Sequence, residues 1–186
     1  ALTNENAAYV TSENGQALSA GSPYVTGVNF SSSDAWTLGL YLNVAEAAPH
    51  VTLFHAAVQA GFTSPGALFL TTGETADEIV LWRRNNGNTD YDALVTADLG
   101  LGGANAWHHV LITHTDTRIR LYVDGEQVGE VDGTFENTYT GIQIGKGLGG
   151  YSVPDHTNGA GSFQLDDVTI WPAALRDVQI EKALAT

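Results

Sequence analysis

Hydrophobic and polar residues alternate along most of this chain. In the segment WTLGLYLNV, the residues Trp36, Leu38, Leu40 and Leu42 fall on one side, and Tyr41 falls on the other. Because successive side chains of a β-strand point to opposite faces, this pattern predicts a strand with one buried face. Further strands are predicted in HVTLFHAAV, ALFLTTG, EIVLWRR, YDALVTADL, WHHVLITHT, RIRLYVDGEQVGEV, TGIQIG and SFQLDDVTIW.

Two places in this pattern predict local backbone features. Asp124 and Gly125 lie between alternating flanks in RIRLYVDGEQVGEV, which is the pattern of a two-residue hairpin turn. In SFQLDDVTIW, Phe163 and Leu165 share one parity whereas Val168 shares the other. A strand changes parity when one extra residue is inserted, so we expect a β-bulge in the two aspartates between them.

Helical character is confined to the last segment, PAALRDVQIEKALA, which starts after Pro172 ends a strand. Leu175, Val178, Ile180 and Leu184 are expected to form its apolar stripe. Many short strands with one terminal helix predict an all-β, two-sheet antiparallel sandwich. The 186 residues contain no internal repeat or linker, and we expect one domain over residues 1–186.

Composition narrows the classes of partner. The formal net charge is −14, from 21 acidic and seven basic residues, which argues against nucleic acid and against an anionic membrane surface. The sequence contains no apolar run as long as a bilayer span, so we expect no membrane insertion. Cysteine is absent, which leaves burial, or a hard cation held by oxygen ligands, to stabilise the fold.

Gly145, Gly147 and Gly150 match the G-x-G-x-x-G spacing of dinucleotide-binding loops. That site also requires a helix that opens on the last glycine. The residues that follow include Pro154 and Asn158 and show no helical period. We therefore interpret the glycines as a turn in the backbone.

Three stretches together resemble the laminin-G-like, concanavalin-A-like jelly-roll family. They are ALSAGSPYVTGVNFSSSDAWTLGLYLNV, WHHVLITHTDTRIRLYVDGEQVGE and GSFQLDDVTIWPAALRDVQIEKAL. The resemblance runs from about Gln16 to the end of the chain and implies a jelly-roll sandwich with a short C-terminal helix. Trp36, Trp107 and Trp171 resemble structural positions of that family and are expected in the core.

The same fold hosts enzymes, sugar-binding modules and adhesion domains, so the activity has to be argued from a site. The nearest match to the catalytic carboxylates of its glucanases is EVDGTFE, with Glu130, Asp132 and Glu136. Its last spacing is one residue too long, and Gly133 interrupts it, which favours a solvated turn. A polysaccharide-degrading enzyme, either a glycoside hydrolase or a lyase, remains the alternative function.

A lyase-like set of Tyr41, His50, Arg84 and Tyr151 is conceivable, although no spacing singles it out. The six histidines do not predict zinc. His109 and His114 are five residues apart and therefore point to opposite faces of a strand.

Calcium fits the composition better, because it takes oxygen ligands from turns and carboxylates. The resemblance implies a structural calcium between the opening glycine turn and an aspartate of the closing strand. The matching positions are Gly21 and Asp166.

Sugar recognition requires an aromatic face with polar groups beside it. In EIVLWRRNNG, Ile79 and Leu81 are expected to face the core, which turns Trp82 and Arg84 outward. Further candidate ligand-binding residues are Tyr41, opposite the Trp36 stripe, and Tyr151 and His156 in the polar loop LGGYSVPDHTNGAG.

The preferred hypothesis is a secreted carbohydrate-binding or adhesion module. It predicts a polysaccharide or glycan bound on the concave sheet face and rim loops, with a structural calcium. A cell-surface or matrix protein is the alternative partner. We expect an extracellular location and a chain that forms one module of a larger protein.

Overall fold

The structure is a computed structural model. It describes residues 2–5, 8–12, 15–20, 24–27, 35–46, 49–57, 66–75, 77–84, 91–99, 106–135, 141–144, 157–158 and 162–184.

Within these residues the chain forms fifteen strands and one helix. The strands are β1 (Leu2–Glu5), β2 (Ala8–Ser12), β3 (Gly15–Ala20), β4 (Tyr24–Gly27), β5 (Ala35–Glu46), β6 (Val51–Ala57), β7 (Leu68–Thr72), β8 (Glu78–Arg84), β9 (Tyr91–Asp98), β10 (His108–Thr115), β11 (Arg118–Val123), β12 (Glu126–Asp132), β13 (Gly141–Ile144), β14 (Thr157–Asn158) and β15 (Ser162–Trp171). The helix is α1 (Asp177–Leu184). The predicted two-sheet jelly-roll sandwich with one terminal helix is confirmed.

The strands form two sheets. The eight-stranded sheet has the order β1-β4-β13-β6-β7-β8-β9, with β14 paired in parallel to β6. The seven-stranded sheet has the order β12-β11-β10-β5-β15-β3-β2. All neighbours along these two orders are antiparallel. Strand β9 ends one sheet, and β12 ends the other.

The main core contains side chains from both sheets. Trp36, Leu38, Leu40 and Leu42 of β5 are at most 2% exposed and belong to it, as the alternation predicts. Trp107, which was also expected in the core, is half-buried. The other sheet contributes buried residues that include Phe54, Leu68, Leu70, Ile79 and Leu81.

The hairpin between β11 and β12 has the predicted two-residue turn. Asp124 has a φ of 51° and Gly125 a φ of 86°, the positive values of a hairpin turn that matches strand twist. The Asp124 carboxylate also holds the start of β10. Its Oδ1 accepts the His109 N–H at 2.8 Å, and its Oδ2 lies 2.7 Å from His108 Nδ1.

The predicted bulge in β15 is present. Asp166 pairs with Tyr41 and Thr169 pairs with Gly39, so two residues of β15 face one residue of β5. Asp167 takes a φ of 45° at this point. The bulge returns Val168 to the core side of the sheet, where it packs against the main core.

Helix α1 covers part of the outer face of the seven-stranded sheet. Ile180 is 1% exposed and packs with Leu111 and Tyr122, and Trp171 and Leu175 pack against these three. We call these five residues the Trp171 cluster. The expectation that Trp171 lies in the main core is therefore wrong.

The predicted apolar stripe of the helix is wrong at Val178, which is 64% exposed. Residues two apart on a helix are about 200° apart around its axis, so Val178 points away when Ile180 packs inward. The described residues contain no helix that is both long enough and apolar enough to cross a membrane.

Candidate functional site

The aromatic residue predicted to face away from the core lies on β8. Ile79 and Leu81 are both 0% exposed within the main core, in agreement with the sequence pattern. Trp82 is on the opposite face, where it packs against Phe69. This is the outer face of the eight-stranded sheet, and the Trp82 side chain is half-buried there.

Several rings assemble around Trp82 on that face. We use the name Trp82 cluster for His55, Ala67, Phe69, Trp82, Arg84 and Tyr91. Phe69 is at its centre: its ring stacks on His55 at a centroid distance of 3.9 Å and meets Tyr91 edge-on at 5.6 Å. The cluster therefore rests on a fully buried phenyl ring.

The indole of Trp82 is fixed by a hydrogen bond as well as by packing. Its Nε1–H donates to Thr71 Oγ1 at 2.9 Å, and Thr71 is buried on the neighbouring strand β7. A ring held at its nitrogen and packed against Phe69 keeps one orientation. Such a ring loses little conformational freedom when a ligand binds to it.

Toward the edge of the sheet, the Trp82 cluster ends in an exposed residue. The cross-strand partner of Trp82 on the edge strand β9 is Ala93, which is exposed. Directly opposed residues of antiparallel strands share a face. Among the described residues, a small exposed side chain therefore lies beside the indole at that edge.

Arg84 differs from the expectation of an exposed ligand-binding group. It lies on the same face as Trp82, but it is only 3% exposed, and its guanidinium lies 5.8 Å from the centre of the Tyr91 ring. Burial, and to a lesser degree the nearby positive charge of Arg84, lower the pKa of His55 to about 3. His55 is therefore neutral at physiological pH.

Arg83 points to the other side of β8. Its guanidinium lies 3.4 Å from the Asp92 carboxylate and 5.3 Å from the centre of the Phe135 ring, and Phe135 belongs to the main core. Arg83 also donates to the Thr134 carbonyl at 3.4 Å. These contacts connect Arg83 to the edge strand β9 and to the segment that follows β12.

Tyr41 does not join Trp82. It is half-buried on the outer face of the seven-stranded sheet, where its ring lies 4.7 Å from that of His109. Burial lowers the pKa of His109, opposed by the Asp124 carboxylate. The two sheets lie between Tyr41 and Trp82, so the predicted ligand-binding residues are divided between two faces.

The same division separates the lyase-like set, because Tyr41 and Arg84 lie on different sheets. The EVDGTFE carboxylates are also engaged. Glu130 accepts from Arg120 at 2.5 Å, and Asp132 accepts from Arg118 at 2.6 Å, in a half-exposed to exposed group on β11 and β12. Glu136 lies outside the described residues.

The metal-binding prediction rests on Asp166. It is the cross-strand partner of Tyr41, and its Oδ1 accepts the Asp167 N–H at 2.9 Å. Gly21 lies outside the described residues, and Ala20 before it pairs with Phe163. Phe163 is three residues from Asp166, or about 10 Å along the strand.

Calcium binds six to eight oxygens at about 2.3–2.6 Å. Among the described residues there is no group of three or more His, Cys, Asp or Glu side chains that could hold a metal. Asp166 has suitable chemistry, but it is one carboxylate of the larger set that calcium requires.

The two loop residues predicted to bind ligand, Tyr151 and His156, lie outside the described residues, as do the three glycines of the G-x-G-x-x-G match. Strand β14 starts at Thr157, which pairs with Val51. Val51 follows His50, whose Nε2 lies 3.6 Å from the exposed Glu74 carboxylate.

A sequence profile of the concanavalin A-like lectin/glucanase superfamily matches residues 6–181. The chain belongs to this superfamily. Its members share the jelly-roll described above, which confirms the family suggested by the three sequence stretches. A comparison with curated proteins found no match.

Solved structures with a similar fold include binding domains of botulinum neurotoxins. One is the ligand-binding domain of serotype D in complex with N-acetylneuraminic acid, at 13% identity and a TM-score of 0.71. Another is the receptor-binding domain of a C/D mosaic serotype, at 13% identity and a TM-score of 0.69. Both alignments cover 100% of this chain but only 45% and 46% of the neurotoxin domains. At this identity the likeness establishes the fold.

The sequence pattern located Trp82 but not the residues around it. Phe69 and Thr71 are on β7, and Ala93 is on β9, at sequence distances of 11 to 13 residues. Each was visible as a member of an alternating segment. Only strand pairing and register bring them to Trp82.

Proposed function

We propose that this protein is a carbohydrate-binding module and that the Trp82 cluster is its glycan platform. The observation that carries the proposal is the half-buried indole held by Phe69 and Thr71 with the exposed Ala93 beside it. Aromatic faces bind the C–H surface of sugar rings, and a rigid ring reduces the entropic cost of binding. The fold adds support, because one neurotoxin domain of this fold holds a sugar acid.

Further elements of the proposal extend beyond the described platform. Tyr151 and His156 would supply polar contacts from a rim loop, and Arg84 would support the platform from within. Tyr41, on the other sheet, lies outside this platform. The acidic composition suits a secreted module of a larger protein that meets polysaccharides, or a matrix protein, outside the cell.

A structural calcium at Asp166 and the Gly21 carbonyl is also part of the proposal. Its role would be to fix the closing strand to the opening turn, without contact to the glycan. The support for it is the carboxylate of Asp166, the family resemblance and the shortage of other cross-links in a chain without cysteine.

Affinity electrophoresis on a panel of polysaccharides tests the platform. Wild type is expected to be retarded by at least one glycan, and Trp82→Leu is expected to lose about tenfold in affinity, because leucine keeps the apolar packing without an aromatic face. Tyr41→Leu is the matched control on the other sheet and should keep binding. Circular dichroism verifies that both variants are folded.

Loss of retardation in Tyr41→Leu with full binding in Trp82→Leu would move the site to the seven-stranded sheet. No retardation of wild type by any glycan would refute the proposed function. The same gels run with a chelator show whether glycan binding depends on a metal ion. If calcium has only a structural role, its removal should lower the melting temperature of the protein.

A further inference from the structure

We infer that the Trp82 platform accepts neutral glycans and discriminates against glycans that carry carboxylate or sulfate groups. This inference rests on the proposed function and specifies its ligand class. It follows from where the basic side chains of the chain lie. A bound anion has to be paired or hydrogen-bonded when water is removed from it, so an anionic sugar needs cationic or donor groups at its site.

The two cationic side chains closest in sequence to Trp82 already make contacts within the protein. Arg84 shares a face with Trp82, but it is enclosed at 3% exposure close to the Tyr91 ring. Arg83 points to the opposite side of β8, where it contacts Asp92 and Phe135. A carboxylate placed on the indole would therefore meet an enclosed guanidinium on its own face, and Arg83 on the opposite side of the strand.

The remaining described cations are remote from the platform. Arg118 and Arg120 are bound to Glu130 and Asp132 on the other sheet, and Arg176 and Lys182 belong to the C-terminal segment that contains α1. The sequence has seven basic residues, and only Lys146 lies outside the described residues.

The net charge of the whole chain also disfavours anionic ligands. A net charge of −14 repels an approaching anion over about a Debye length, roughly 8 Å at physiological salt. A neutral sugar does not meet this repulsion. The ligand class therefore differs from the carboxylate-bearing sugar in the neurotoxin complex.

The test compares each neutral polysaccharide that retards the protein with its C6-carboxylated derivative, which differs only in charge. We expect the carboxylated form to bind at least about tenfold more weakly at about 0.02 M salt, and the difference to shrink at about 0.5 M. Equal or tighter binding of the carboxylated form at low salt would overturn the inference and leave the proposed function standing. Retention of anionic glycans alone would have the same consequence.

A matched pair of variants at Ala93 sharpens the test. Ala93→Lys places a cation directly opposite Trp82, and Ala93→Gln is its uncharged control of similar length. The lysine variant is expected to gain severalfold in affinity for the carboxylated glycan, in a salt-sensitive manner, and the glutamine variant is not. If the lysine brings no gain, the missing cation is not what excludes anions, and the inference fails.

Lys146→Gln examines the one basic residue outside the described part of the chain. We expect it to leave the binding of both glycan forms unchanged. If wild type binds the carboxylated glycan and this variant does not, Lys146 serves as an anion contact, and the inference is overturned.

Discussion

The two outer faces of the sandwich each carry an aromatic cluster, yet only one of them is covered by a described helix. The Trp171 cluster lies beneath α1, with Ile180 packed against Leu111 and Tyr122. The Trp82 cluster is largely buried at Phe69 and ends in an exposed Ala93 at the sheet edge. An outward-facing tryptophan is thus a structural residue on one sheet and a candidate ligand contact on the other.

Close packing explains how the Trp171 cluster became structural. A Cβ added at Gly39 would lie 2.8 Å from Cζ3 of Trp171, so the indole lies directly over the glycine. The Tyr122 hydroxyl donates to the Asp177 carboxylate at 3.1 Å and ties the helix to the sheet. Burial, followed by this hydrogen bond, raises the pKa of Tyr122. The helix and sheet pack closely here, which favours a structural role for this cluster.

The largest effect that separates the two clusters is expected at Ile180. Ile180→Ala removes a side chain that is 1% exposed and should lower the free energy of unfolding by about 2 kcal/mol or more. Val178→Ala, on the solvent side of the same helix at 64% exposure, should change it by less than about 0.5 kcal/mol. Urea denaturation measures both.

Neither helix variant should alter glycan binding measured under folding conditions. If Ile180→Ala abolished binding while the protein remained folded, the Trp171 cluster would have to be part of the ligand site. The comparison between the two faces would then be wrong.

The next effect is a pH dependence that belongs to the Trp82 cluster. The folded-state pKa of His55 is about 3, against 6.5 for the free side chain, so the unfolded chain binds the extra proton between these values. The free energy of unfolding should therefore fall with decreasing pH, by up to about 1.4 kcal/mol per unit below pH 6.5, and His55 contributes nothing to the slope above that pH.

Unfolding titrations of wild type and His55→Phe check this prediction, because both proteins share every other titrating group. The variant should show the shallower slope between about pH 6 and pH 4. The wild-type imidazole should show no protonation shift by NMR over the same interval. Parallel slopes for the two proteins would show that His55 is not held neutral.

The smallest effect concerns the hydrogen bond that orients the indole. Thr71→Val removes the acceptor of the Trp82 Nε1–H. It is expected to lower the free energy of unfolding by about 1 kcal/mol and to weaken the free energy of glycan binding by a similar amount. Thr71→Ser keeps the hydroxyl and should behave nearly as wild type. Calorimetric titration with a retained polysaccharide measures the affinity. An unchanged affinity in the valine variant would mean that packing against Phe69 alone positions the ring.

Much of the fold could be predicted because its signals are local. The alternation at Trp36, Leu38, Leu40 and Leu42 assigned a strand and its buried face, and the parity change in SFQLDDVTIW placed the bulge at the two aspartates. The Asp124–Gly125 turn followed from backbone preferences of two adjacent residues. Each of these features depends on neighbours within a few positions.

The candidate site was less accessible to the same reasoning. Alternation indicated correctly that Trp82 and Arg84 share a face opposite Ile79, but the exposure of a side chain on that face depends on what packs over it. Arg84 is buried near Tyr91, and Tyr41 turned out to lie on the other sheet, beside Asp166. No local pattern contains this information.

The sequence by itself determined which side chains face the core, where the chain turns and where one strand bulges, since these follow from the two-residue period of a strand and the preferences of adjacent residues. Only the tertiary structure decided which outward aromatics share a surface and which remain accessible. Those properties depend on strand order and register between distant segments, and on the helix that covers one face.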